Sequence, residues 1–116
     1  MKRDMNLIRL LLLDVEGDEP KPDLSNYTDE QKGYHLAKLV EAGLVNGEIS
    51  RDNNGSAIGA FAVELTWQGH EFLEAARSEK VWNRALSKAK SEGVEVSISI
   101  LKELLTQTAK GFLGMP

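Results

Sequence analysis

Cysteine is absent from the 116-residue chain. That excludes disulfide frameworks, thiolate zinc sites and thiol nucleophiles. Histidine occurs only at His35 and His70, so imidazole chemistry has few carriers. Long apolar runs are also missing. Leu10–Leu13 follows the charged Arg9 and precedes Asp14 and Glu16, far short of the roughly twenty apolar residues that span a bilayer. No small-residue cleavage site follows, so this is not a signal peptide. An excess of positive charge is lacking too: 14 basic and 18 acidic residues give a net −4 and a pI of about 5.2. Such a balance does not suit a general nucleic-acid coat or a polybasic membrane binder. The phosphate-cradling pattern G-x-x-x-x-G-K-[ST], the dinucleotide pattern G-x-G-x-x-G and the nucleophile elbow G-x-S-x-G do not occur. These absences predict a non-catalytic cytoplasmic protein with no cofactor, no metal and no membrane partner.

What is present is a well-punctuated order of elements. The length suits one domain over 1–116 that buries about two-thirds of its surface without a staple. Asp4 is suited to cap a first helix reaching Glu16. Its apolar row is Met5, Ile8, Leu12 and Val15, with Leu7 and Leu11 beside it and Leu10 and Leu13 outside it. Pro20 and Pro22 make 17–27 a loop. Thr28-Asp29-Glu30-Gln31 fits a capping box for a second helix with the stripe Leu36, Leu39 and Val40, closed by Gly43. Strands at 44–50 and 58–65 flank the turn-rich run Arg51–Ser56 and form a hairpin. Phe61, Val63 and Leu65 alternate along the second strand with smaller or polar residues. Thr66, Ser78 and Ser97 are caps for three further helices, with a short extended piece at 94–96 and a loose end from Gly111. The prediction is an α-rich α+β, winged-helix-like domain. Residues 1–78 carry helices and wing, and 79–116 form a helical extension.

The segments Tyr34-His35-Leu36, Ala42-Gly43-Leu44 and Leu65-Thr66-Trp67-x-Gly69-His70-Glu71-Phe72-Leu73 resemble winged-helix proteins. With Met1–Met5 and Val81–Asn83, they are similar to an uncharacterised family of small bacterial and phage proteins, a domain of unknown function. The resemblance implies a winged-helix-like fold and a phage or prophage setting. Gly69 would let the third helix approach the hairpin closely. One departure concerns docking on DNA. A helix-turn-helix needs a positioning and a reading helix, whereas 28–43 reads as one unbroken helix.

The leading function is a binding module, regulatory and DNA-associated. Its candidate surface is Gln31, Tyr34, His35 and Lys38, opposite the stripe of the second helix, plus Arg51, Asn53 and Asn54 at the wing tip. Residues 1–66 hold 7 basic and 12 acidic side chains, a net −5, which opposes phosphate. An alternative basic row is Lys80, Arg84 and Lys88, extended by Arg77 if the helix is continuous. The rival function is a module for a host or phage protein, or for homodimerisation through Leu10 and Leu13, without nucleic acid. His70-Glu71-Phe72-Leu73-Glu74 approximates the zinc pattern H-E-x-x-H but has Glu74 in place of the second histidine, so a structural histidine is expected. Trp67 and Trp82 read as core anchors; an exposed one would indicate an interaction surface.

Overall fold

The computed structural model describes residues 2–93 and 97–114. The extended piece expected at 94–96 and the last two residues lie outside them, as does the side chain of Phe112. In chain order the elements are α1 (Met5–Glu16), α2 (Asp29–Glu41), β1 (Val45–Arg51), β2 (Ala57–Leu65), α3 (Trp67–Ala76), α4 (Glu79–Ser91) and α5 (Ile98–Phe112). Five helices and one two-stranded antiparallel sheet make this a small α+β protein. The chain divides into two compact units, 1–70 and 71–116.

The caps read from sequence are formed. The Asp4 carboxylate accepts the Leu7 N–H at 3.2 Å. Thr28 Oγ1 accepts the Gln31 N–H at 3.1 Å, while Gln31 Oε1 accepts the Thr28 N–H at 2.9 Å. Thr66 does two jobs. Its hydroxyl donates to the Gly43 carbonyl at 2.6 Å and accepts the Gly69 N–H at 2.9 Å. One side chain thereby ties the start of α3 to the exit of α2. Gly43 makes that exit with φ +78°, a conformation that disfavours any residue with a Cβ. The C-terminal end is more regular than expected, since α5 continues through Gly111 to Phe112.

In unit 1 the core comprises Leu7, Ile8, Leu11 and Leu12 of α1, Ala37 and Leu39 of α2, and Leu44, Val45 and Leu65 at the root of the hairpin. The hairpin pairs Val45 with Leu65, Glu48 with Phe61 and Ile49 with Ala60. Its inward side is lined by small residues because α2 comes against the strand backbone. A Cβ added at Gly33 would overlap the Ile58 carbonyl, and one added at Gly69 would overlap that of Leu44. In unit 2 the buried residues are Phe72, Leu73 and Ala76 of α3, Trp82, Ala85 and Ala89 of α4, and Leu101 and Leu105 of α5.

Candidate binding surfaces

The second helix and the wing tip were the expected nucleic-acid surface. His35 does not belong to it. The ring is 1% exposed. Nε2 accepts the Asp4 backbone N–H at 2.8 Å, and Nδ1 lies 2.7 Å from the Gln31 carbonyl. A backbone N–H can only donate, so Nε2 is unprotonated and the proton sits on Nδ1, donating to Gln31. His35 is a structural tie between α1 and α2. Hydropathy alone rotated the predicted stripe away from it, because histidine counts as polar. The buried positions are His35, Ala37 and Leu39, while Leu36 and Val40 are half-buried.

Gln31, Tyr34 and Lys38 are half-buried. Lys38 pairs with Glu41 at 3.2 Å and lies 5.3 Å from the centre of the Tyr34 ring. Lys32 pairs with Asp29 at 3.2 Å. The exposed residues of α2 are Asp29, Glu30 and Glu41, all acidic. At the tip, Arg51 donates to the Gly55 carbonyl at 3.0 Å, and Asp52 accepts the N–H groups of Asn54 and Ser56 at 2.9 Å each. Arg51, Asn53 and Asn54 are exposed, but the Asp52 carboxylate organises the same turn. Asp23, in the preceding loop, is held below its ordinary value by hydrogen bonding from Ser25.

Large apolar side chains stand in water on β2 and at the start of α3, where Trp67 was expected to be a core anchor. Phe61 is 73% exposed, Val63 66% and Trp67 75%. Phe61 and Val63 are two residues apart on one strand and so share a face. Glu48 stands opposite Phe61, and Glu64 is exposed next to Val63. Core-anchor status therefore fails for Trp67 and holds for Trp82, which is 2% exposed. The available signal was the pair Gly33 and Gly59, which mark where α2 and β2 approach closely. Leu10 and Leu13 are half-buried on α1.

In unit 2, Arg77 does not extend the basic row. Ser78 is extended and accepts the Val81 N–H at 3.3 Å, which starts α4 afresh at Glu79. Arg77 instead pairs with Glu74 at 2.9 Å. Lys80, Arg84 and Lys88 remain in line on α4, opposite the buried Trp82, Ala85 and Ala89. Arg84 and Lys88 also line a cavity of about 380 Å³ with Gln107, Thr108 and Gly111 of α5. His70, Glu71 and Glu74 are exposed. Among the described residues, no group of three or more His, Asp or Glu side chains is placed to hold a metal.

Residues 2–95 match the family described as hypothetical protein (DUF2513). The chain belongs to the DUF2513 family. An uncharacterized protein of Haemophilus influenzae is 34% identical over 111 residues, covering 90% of this chain and 92% of that one. No solved structure matches. The DUF2513 match stops before α5, so the α5 wall of the cavity lies outside it. Among the described residues, no helix is long and apolar enough to cross a membrane.

Proposed function

We propose that the chain is a non-catalytic, winged-helix-like accessory module, and that its unit 1 binds a protein partner through the outer face of the hairpin. The observation that carries this reading is the exposure of Phe61, Val63 and Trp67. Large apolar side chains left in water are costly, and aromatic residues of this kind are frequent anchors of interfaces. Two aromatics and a valine at this exposure leave roughly 350 Å² uncovered, taking typical aromatic areas. A stable interface covers about 800 Å² per partner, so the hairpin face suits a transient contact better than an obligate homodimer. With Glu48 and Glu64 beside the apolar residues and a net −5 over the unit, the complementary partner presents apolar side chains flanked by Lys or Arg.

Duplex DNA bound by α2 and the wing is the weaker reading, because His35 is buried, Lys38 is paired and the exposed residues of α2 repel phosphate. A phage or prophage setting in the cytoplasm belongs to the same proposal and rests on the motif resemblance. Trp67 supplies the test. Titration with a cationic amphipathic peptide should blue-shift its emission and saturate, and Phe61→Ser should abolish the effect. An equal response to a charge-reversed, acidic peptide, or none to the cationic one, would overturn the reading. Concentration-dependent dimerisation abolished by Phe61→Ser would reassign the face to a second copy of the chain.

A further inference from the structure

We propose that an extended segment of the protein partner adds to the free edge of β1 as a third, antiparallel strand in which basic and apolar residues alternate. The inference rests on the hairpin reading for the partner's apolar and basic character, and adds how its backbone is held. The bonds at the two ends of the hairpin fix which groups of β1 point outward. The Leu44 carbonyl accepts the Thr66 N–H, and the Asp52 N–H donates to the Ser56 carbonyl, each at 3.0 Å. In an antiparallel pair, successive residues aim their N–H and C=O alternately at the neighbouring strand and away from it. Leu44 and Asp52 both aim at β2, so the even-numbered residues between them face β2 and the odd-numbered ones face away. Val45 is buried at the root, but Gly47 and Ile49 are half-buried and Arg51 is exposed. Among the described residues, no hydrogen bond reaches the outward N–H and C=O groups of these three.

The two edges of the hairpin differ. Asn46 and Gly47 stand opposite Glu64 and Ala62, and Ser50 and Arg51 stand opposite Gly59 and Ala57. The extra residues, Val63 and Ile58, both lie on β2, so the bulges blunt its edge. The second helix also comes against the Ile58 carbonyl. By contrast, β1 is unbroken from Val45 to Arg51 and contains neither proline nor lysine, residues that protect an edge. An edge in this state is a template for a further strand, whose main chain supplies affinity and whose alternate side chains supply specificity. Charge selects the occupant. Glu48 is exposed at the middle of β1. A second copy paired about a two-fold axis in full register would set Glu48 against Glu48, and like charges directly opposite are destabilising. A foreign strand with Lys or Arg at that place gains instead. Its basic residue would occupy a non-hydrogen-bonded site, where Cα atoms are about 4.5 Å apart and side chains come closest. The residues flanking it exchange bonds with Gly47 and Ile49 and lie on the face of half-buried Ile49, which suits apolar side chains.

A labelled peptide of alternating lysine and valine, followed by fluorescence anisotropy, supplies the test. It should bind saturably. N-methylation of its valines should weaken binding at least about tenfold, because those N–H groups face β1. N-methylation of its lysines should leave affinity within about twofold, because those groups face away. Glu48→Lys should weaken binding of the unmethylated peptide about fivefold. In amide exchange, the N–H groups of Gly47, Ile49 and Arg51 should slow at least about tenfold on adding the peptide, while those of Glu48 and Ser50, which face β2, should change far less. Equal affinity of the three peptides, or loss on methylating the lysines, overturns the proposal; the hairpin reading then stands if Phe61→Ser still abolishes binding. Absence of binding by the unmethylated peptide overturns both. A dimer of the free protein in sedimentation that the peptide dissociates also overturns the proposal, in favour of a second copy.

Discussion

His35 joins two helices through two backbone groups of unlike character, the Asp4 N–H and the Gln31 carbonyl. Removing the ring orphans both in a buried place, and each unsatisfied group costs about 1–3 kcal/mol. His35→Ala should therefore lower the unfolding free energy by at least about 2 kcal/mol in urea titrations, whereas His70→Ala, at an exposed position, should stay within about 0.5 kcal/mol. Glycine gives a sharper sign test. An open helical glycine gains stability on change to alanine, by about 0.5–1 kcal/mol. Gly111→Ala should follow that rule. Gly69→Ala should reverse it and lose about 1–3 kcal/mol, because the new methyl would meet the Leu44 carbonyl. Tyr27 gives a pH-dependent case. Partial burial, and then the charge of Asp4, raise its phenol above the ordinary value of 10.0. The fold thus favours the neutral phenol. Its contribution is fully present below pH 10 and is lost as pH rises through the higher folded value. The urea midpoint of the wild type should fall more steeply above pH 10 than that of Tyr27→Phe.

The hairpin is the element where composition and position part company. Phe61→Thr or Val63→Thr should leave stability within about 0.5 kcal/mol, because those side chains already stand in water, while Leu65→Ala at the buried root should cost about 2–5 kcal/mol. Equal losses at Phe61 and Leu65 in urea titrations would contradict this division. The difference explains what could be read from sequence and what could not. Helix starts were legible because a cap is a local event: Asp4, Thr28, Thr66, Ser78 and Ser97 each bond an N–H within three residues. The left-handed exit at Gly43 was legible for the same reason. The inward face of the hairpin was not. Period-two alternation marks two faces without saying which meets a neighbour. The close approach of α2 falls at Gly33, against the backbone of Ile58 and Gly59, while Phe61 and Val63 stand in water. The break at Ser78, which removes Arg77 from the basic row, was visible as a cap. The cavity between α4 and α5 was not, since Arg84 and Gln107 are 23 positions apart.

At the scale of the whole chain, the net −4 combines two unlike parts. Unit 1 carries −5 and unit 2 carries +1, because 67–70 add no formal charge at neutral pH. The acidic surroundings of unit 1 suit the apolar face proposed to meet a cationic protein. That charge also acts at long range on an approaching cationic peptide, and this has a measurable consequence. At 0.01 M salt the screening length is about 30 Å, so the acidic residues of unit 1 draw the peptide in from a distance. At 0.15 M it is about 8 Å, and only nearby charges count. Asp29→Asn combined with Glu30→Gln removes two exposed carboxylates from α2 and leaves Phe61 and Val63 in place. In stopped-flow measurements this double variant should slow association of the cationic peptide severalfold at 0.01 M salt and have a smaller effect at 0.15 M. The dissociation rate should move little at either salt, because the apolar contacts are untouched. Faster dissociation in the variant would instead mean that the peptide lies against α2, and would move the proposed protein surface to the second helix.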